Sequence, residues 1–286
     1  MNKYVSPLRY PGGKLKVVDY VKQLFEVNNL GGGTYIEPYA GGASVALCLL
    51  FDGYASKIRI NDVDRAIYAF WHSVLNETEA LCRKIQDTPL TMEVWQVQHE
   101  LQKHKGEADL LELGFATFFL NRTNCSGVLN GGVIGGKEQK GTYKMNARFN
   151  KKGLIERIER VAEYAGLIEL TGMDAVALIK RYTRPPAQKT LCYLDPPYYV
   201  KGQDLYLNYY RDDNHKDIAE VIKKFKGQWI ISYDAVDFIS ELYKEYRQKE
   251  YYLSYSARTR ATGKEIMIYS NGLIIPEAEI VNSKRG

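Results

Sequence analysis

Asp195-Pro196-Pro197-Tyr198 follows directly on the apolar run Thr190-Leu191-Cys192-Tyr193-Leu194. Two prolines cannot extend a strand's hydrogen-bond ladder, so the acid and the ring are presented on a rigid turn at a strand's end. Such a turn makes a clamp for a planar amine. The Asp195 carboxylate and a carbonyl of the diproline turn each accept a hydrogen bond from an exocyclic –NH2, while the Tyr198 ring stacks on the base that carries it. Accepting both protons returns electron density to a nitrogen whose lone pair is otherwise delocalised into the ring, and makes that nitrogen a nucleophile. An ordinary strand exit uses the same residue types, because Asp and Pro both favour turns. Other features must decide.

A second constellation lies near the N-terminus. Gly41-Gly42 follow Thr34-Tyr35-Ile36-Glu37, and Asp62 stands about 20 residues further on, at the end of a second strand. Glycines after a first strand let a ligand approach the backbone, and an acid at that distance can bind ribose hydroxyls. The G-x-G-x-x-G fingerprint is absent, which disfavours a nicotinamide or flavin. Asp62 also suits the N-cap of the following helix. Glu37, on the same turn, repels phosphate and tolerates a cation. S-adenosylmethionine, with its sulfonium, amino-acid part and adenosine, suits these acids better than a dinucleotide pyrophosphate.

The elements that must position these groups alternate. Strands are expected at residues 34–37, 57–60, 167–170, 190–194 and 228–232, and helices at 43–50, 64–75, 175–182, 215–225 and 236–246. Two closing strands, 251–256 and 265–270, flank a polar turn. The pattern predicts an α/β fold: a doubly wound, mostly parallel sheet with one antiparallel strand. Residues 76–150 break the rhythm, helical first and then rich in Gly and Asn, and read as an inserted module. The domain reading is therefore 1–75 with 151–286 as one catalytic unit, and 76–150 as the insertion.

The 286 residues hold one large domain or a core domain with an insertion. The longest apolar stretch, Ala43 to Phe51, is too short to span a bilayer, and Met-Asn-Lys-Tyr-Val-Ser-Pro has no apolar leader region. No membrane partner is expected. Cys48, Cys82, Cys125 and Cys192 lack metal-ligand spacing and read as reduced thiols in a cytoplasm. No metal site is expected either, since His72, His99, His104 and His215 show no ligand pattern, His99 and His104 reading as exposed helix residues. The net charge of +5 is concentrated: eight Lys/Arg stand against three Asp/Glu between Lys137 and Arg160. A basic segment of that kind suits a phosphate backbone. Tyrosines cluster at 193, 198, 199, 206, 209 and 210, where rings can stack on bases or serve as core residues with a wet hydroxyl.

Leu8-Arg9-Tyr10-Pro11-Gly12-Gly13-Lys14, Ile36 through Ser44, Asn61-Asp62 and Asp195 through Tyr198 occur in the order and spacing of the Dam-type adenine-specific DNA methyltransferases, which this chain resembles over almost its whole length. Residues 121–124 and 143–150 also look like that family's region ahead of the third strand. The resemblance implies a Rossmann-like, seven-stranded methyltransferase sheet with an inserted, mainly helical recognition module. It implies transfer of a methyl group from S-adenosylmethionine to the exocyclic amine of a flipped adenine in duplex DNA. By position, Tyr10 and Lys14 would contact the cofactor, Asp62 its ribose and Asp174 its adenine, with Glu37 and Gly41 on the cofactor turn. Asp195 would touch both cofactor and target amine, flanked by Pro196, Pro197 and Tyr198. The chain departs from the family in reading Gly-Gly-Ala for Gly-x-Gly and Tyr10 for a frequent tryptophan.

In the insertion, Arg122, Asn124 and Asn130 have the donor geometry for base edges, with Lys137, Lys144 and Arg148 on phosphates. Asn130-Gly131 also makes a tight turn, and Arg148 a structural ion pair. A cognate restriction endonuclease is a possible partner, and a monomer suffices to methylate one strand. The rival readings are methylation of cytosine's exocyclic amine, for which the same clamp serves, and a DNA-binding relative without catalysis. A dehydrogenase lacks its fingerprint.

Overall fold

The computed structural model describes residues 5–9, 14–182, 189–200, 210–255 and 261–281. A 3-10 turn, Lys14–Val17, leads into α1 (Val18–Val27), whose apolar face of Val18, Val21, Leu24 and Phe25 is buried. Then come β1 (Gly33–Glu37), α2 (Ser44–Phe51), β2 (Ala55–Asn61) and α3 (Arg65–Asn76). Helix α3 begins where the Asp64 carboxylate accepts the Ala66 N–H. Asp62, one of the residues fit for that cap, is free for other partners.

Three helices follow, α4 (Thr78–Asp87), α5 (Met92–Lys103) and α6 (Leu110–Thr123), then α7 (Lys151–Ala162). Thr91, Asp109 and Asn150 cap α5, α6 and α7 through their side chains. The chain then alternates again: β3 (Ile168–Thr171), α8 (Ala175–Lys180), β4 (Thr190–Leu194), α9 (Asp212–Ile222), β5 (Gln228–Asp234), α10 (Asp237–Leu242), β6 (Arg247–Tyr255) and β7 (Ala261–Tyr269). Several boundaries differ from the pattern, the two closing strands each beginning four residues early, and two of the differences have local reasons. Helix α9 starts three residues early, because Arg211 and Asn214 form a reciprocal cap. Helix α10 stops at Leu242, because the chain from Arg247 pairs with β7 out to Tyr269.

The seven strands lie in the order β3-β2-β1-β4-β5-β7-β6. β7 runs antiparallel to both neighbours and the other pairings are parallel. β4, in the middle, is buried at all five positions, as an interior parallel strand requires. Strand residues alternate between two buried clusters. Tyr35, Tyr193 and Ile230 join α1 to α7 on one face, and Ile36, Cys192, Leu194 and Ile231 join α8 to α10 on the other.

The stretch read as an insertion has no separate core. Leu81, Ile85, Trp95, Phe115, Phe118 and Phe119 share the buried cluster that holds Phe70 and Trp71. Phe70 and Phe118 stack at 6.0 Å. Gly114 permits this approach of α6 to α3, since a Cβ there would stand 2.3 Å from Ser73 Oγ.

Candidate active site

The strand order reverses between β1 and β4, and in open parallel sheets the crevice at such a switch point is where ligands bind. Glu37 ends β1 and Asp195 follows β4 on that edge. Asp195 Oδ1 accepts a hydrogen bond from Ser232 Oγ at 2.7 Å, from the end of neighbouring β5. The same oxygen lies 3.1 Å from Lys14 Nζ, and the Asp195 side chain remains 26% exposed. Lys14 is buried; it also donates to the Tyr198 hydroxyl and lies 3.5 Å from Glu265 Oε2. Glu265, on β7, is fully buried and accepts from the Tyr251 hydroxyl at 2.6 Å. Burial raises the Glu265 carboxyl, and the Lys14 ammonium opposes that shift. A buried ammonium placed between two carboxylates gains the Coulomb energy that offsets its desolvation.

Glu37 is the second buried acid. Its Oε1 accepts from the Tyr35 hydroxyl at 3.3 Å, and its Oε2 has no hydrogen-bond partner. Burial, reinforced by the nearby Asp195, holds this carboxyl well above the usual range. An orphaned carboxylate oxygen at the switch point is matched by a cationic ligand group.

The glycine turn is held from two sides. Gly41, at φ +45°, donates its N–H to Asp62 Oδ2 at 2.9 Å, and its carbonyl accepts the Trp71 indole N–H at 2.9 Å. Asp62 Oδ1 accepts the Asp64 N–H at 3.0 Å. Burial pushes the Asp62 carboxyl up to about 6 although both N–H groups pull it down. Each Asp62 oxygen keeps a lone pair for a hydroxyl.

Asn61 ties this turn to the next loop. Its Nδ2 donates to the Pro38 and Met173 carbonyls, each at 2.9 Å. Its Oδ1 accepts from Thr171 Oγ1 at 2.7 Å and the Met173 N–H at 2.8 Å. Asp174, next along, is exposed and caps α8 by accepting the Ala177 N–H.

Pro196 is buried, and Pro197 and Tyr198 are half-buried. The turn continues into Tyr199 and Val200, whose N–H groups both donate to the Asp234 carboxylate at 2.8 Å. Tyr199 stacks on Phe238 at 4.7 Å, and the Tyr210 hydroxyl meets that of Tyr39 at 3.1 Å. Both rings are half-buried and have these internal partners, as the core alternative for the tyrosine cluster has it. Tyr10, Tyr206 and Tyr209 lie outside the described residues.

Two of the base-reading candidates are also corrected. The Arg122 guanidinium is buried and donates through Nε to the Pro7 carbonyl at 2.8 Å. Asn124 is fully buried: its Oδ1 accepts from the Trp95 indole at 2.7 Å, and its Nδ2 donates to the Val128 and Leu129 carbonyls. Both side chains build the scaffold, one anchoring the N-terminal segment and the other closing the turn at 125–133. Asn130, Lys137, Lys144 and Arg148 are exposed. Asn130 and Lys137 meet in a groove of about 420 Å³ with Trp95, His99 and Lys103 of α5. His99 is half-buried there and stacks on Trp95 at 4.7 Å, whereas His104 is exposed as expected. The 135–145 loop is organised by Gln139, which donates to the Ile134 and Gly136 carbonyls and accepts the Met145 N–H.

Ser232, Asp234, Glu265 and Trp71 carry site contacts that the motifs did not single out. Polar residues interrupting the apolar runs of β5 and β7 were the available signal. Among the described residues no group of His, Cys, Asp and Glu could hold a metal ion, and no helix is long and apolar enough to cross a membrane.

The profile of the D12 class N6 adenine-specific DNA methyltransferases matches residues 10–258. The type II methyltransferase M.MjaIII of Methanocaldococcus jannaschii is 23% identical, over 85% of this chain and 89% of its own. The type II methyltransferase M.CviBI of Paramecium bursaria Chlorella virus NC1A is 22% identical, over 87% of this chain and 90% of its own. Among solved structures, a SAM-dependent methyltransferase from Agrobacterium tumefaciens aligns with a TM-score of 0.42 at 7% identity. That alignment covers 90% of this chain, which spans 62% of the other.

Proposed function

The chain belongs to the D12 class N6 adenine-specific DNA methyltransferases, and on that premise we propose how its residues divide the reaction between them. It is an enzyme that methylates the exocyclic N6 amine of adenine in DNA, with S-adenosylmethionine as methyl donor. When bound, that cofactor supplies a methyl group activated by an adjacent sulfonium. The residues fit it: the orphaned Glu37 Oε2 matches positive charge, and the Asp62 oxygens match ribose hydroxyls. Gly41 would let the ligand approach the backbone, Asp174 would meet its adenine and Lys14 would contact it from the N-terminal side, where the resemblance also sets Tyr10, a residue outside those described.

Asp195 and a carbonyl of the Pro196-Pro197 turn accept the two protons of the target amine, and Tyr198 holds the base. The observation that carries this reading is the partly exposed Asp195 carboxylate at the switch point, anchored through Oδ1 by Ser232 and Lys14. No covalent nucleophile is needed; alignment of amine and methyl group supplies the acceleration. The target adenine leaves the duplex stack, at a cost of a few kcal/mol, which Lys137, Lys144 and Arg148 offset through phosphate contacts while Asn130 reads a base edge. Both relatives are named type II methyltransferases, which favours modification of a defined site alongside a cognate endonuclease; our reading adds a monomer acting in the cytoplasm.

The test is incubation with mixed-sequence duplex DNA and methyl-labelled cofactor, then nucleoside digestion and mass analysis. N6-methyl-2′-deoxyadenosine is expected, and Asp195→Ala abolishes it with the fold intact. Near-normal turnover by a folded Asp195→Ala variant sinks the clamp.

A further inference from the structure

We propose that Ser232 is a positioning residue that selects which oxygen of Asp195 receives the target amine. The inference rests on the clamp reading of Asp195. Asp195 Oδ1 already has two partners, Ser232 Oγ at 2.7 Å and Lys14 Nζ at 3.1 Å. A carboxylate oxygen offers about two lone-pair sites. Oδ1 is therefore saturated, and Oδ2 is the oxygen with capacity for the amine.

The direction of the chain behind Oδ1 follows from valence. An ionised carboxylate only accepts, so the Ser232 hydroxyl hydrogen points at Asp195. Tyr193 Oη, 3.0 Å from Ser232 Oγ, must then be the donor of that second bond. The sequence of donors is Tyr193 to Ser232 to Asp195, one hydrogen each. Both hydroxyl residues are buried, Ser232 at 0% and Tyr193 at 1% exposure. A chain that ends inside the sheet gives a proton no route to solvent, so it orients and does not relay. It also explains a polar pair at the centre of an otherwise apolar β4–β5 contact. Leu194 pairs with Ile231 in the parallel register, which brings the next residues of the two strands, Asp195 and Ser232, side by side.

Lys14 alone cannot fix the carboxylate's rotation, because its ammonium is shared with Glu265 and Tyr198. The hydroxyl supplies the second, shorter restraint. Misplacement of a reacting group by about 1 Å costs on the order of 100-fold in rate, and loss of the restraint falls within that range.

The experiment compares single-turnover methyl transfer, cofactor dissociation constants and thermal unfolding for Ser232→Ala, Ser232→Cys, Ser232→Thr and Tyr193→Phe, with Asp195→Ala alongside. Ser232→Ala is expected to slow transfer by about 10- to 100-fold with the cofactor constant within twofold. Ser232→Thr, which restores a hydroxyl, recovers most of the rate. Tyr193→Phe keeps the Ser232–Asp195 bond and slows transfer less than Ser232→Ala does. If Ser232→Ala does not fold, Ser232→Cys decides, since a thiol is a weak donor of nearly the same size. Transfer within threefold of the parent in Ser232→Ala or Ser232→Cys overturns the proposal. Equal losses in Ser232→Ala and Tyr193→Phe overturn it too, because they point to packing. In either case an inactive Asp195→Ala leaves the clamp standing, whereas an active one removes the clamp and this inference together.

Discussion

Asn61→Asp changes one atom's chemistry at the join of three strand ends. Asn61 is 1% exposed, and its two donors and two acceptor sites all have partners. Those partners fix the amide's orientation, because carbonyls face Nδ2 and donors face Oδ1. Aspartate keeps the bonds from Thr171 and Met173 and loses both donations. Two lost hydrogen bonds cost about 2 kcal/mol, and two carbonyl oxygens facing a buried acceptor add roughly 1–3 kcal/mol. The expected loss at pH 8 is thus about 4 kcal/mol. The new carboxyl, buried against carbonyls, titrates above its unfolded value in the folded state. Its cost is therefore complete above the folded value and shrinks as pH falls toward the unfolded one, because the protonated acid regains a donor. Urea unfolding followed by tryptophan fluorescence at pH 8 and pH 5 measures both quantities. A variant within about 1 kcal/mol of the parent at pH 8, or a loss equal at both pH values, would refute the assignment of Asn61 as the four-bond join.

Four other outcomes are expected. Asp62, its carboxyl pushed up to about 6 by burial, is ionised and a full acceptor above that pH, so cofactor binding weakens as pH falls through about 6. Glu37, its carboxyl held well above the usual range by burial, should be pulled back down when a cation binds beside it, so binding is accompanied by proton release; calorimetry in buffers of different ionisation heat detects that release, and no buffer dependence argues against it. Replacing Lys144 and Arg148 together by alanine should weaken DNA binding and lower the salt slope by about 2; an unchanged slope rejects phosphate contact. Burial pushes the Cys48 and Cys82 thiols up to about 11 and raises Cys192 further, so a thiol reagent at pH 8 should label exposed Cys125 first; rapid labelling of Cys48 contradicts the packing.

The motifs were legible because each is a local device. Asp195-Pro196-Pro197-Tyr198 after a continuous apolar strand, and Gly41-Gly42 followed by Asp62, combine a period, a breaker and a functional group within a few residues, and the α/β alternation follows from the same periods. Near the chain's middle, the sequence marked a helical stretch but neither the bounds of α4 to α6 nor their place, since an apolar helical face looks alike whether it packs on itself or on Trp71 and Phe70. Arg122 and Asn124 carry the residue types of base readers, and only burial reveals that their donors are taken by the Pro7, Val128 and Leu129 carbonyls. Ser232 and Glu265 reach Asp195 and Lys14 because β5 and β7 lie beyond β4 in the sheet, 37 residues along the chain in the case of Ser232. Strand order is set by which helical faces cover which side of the sheet, a competition among long-range burials. Hence the sequence by itself determined the chemistry on offer, and tertiary structure alone decided which side chains were free to perform it.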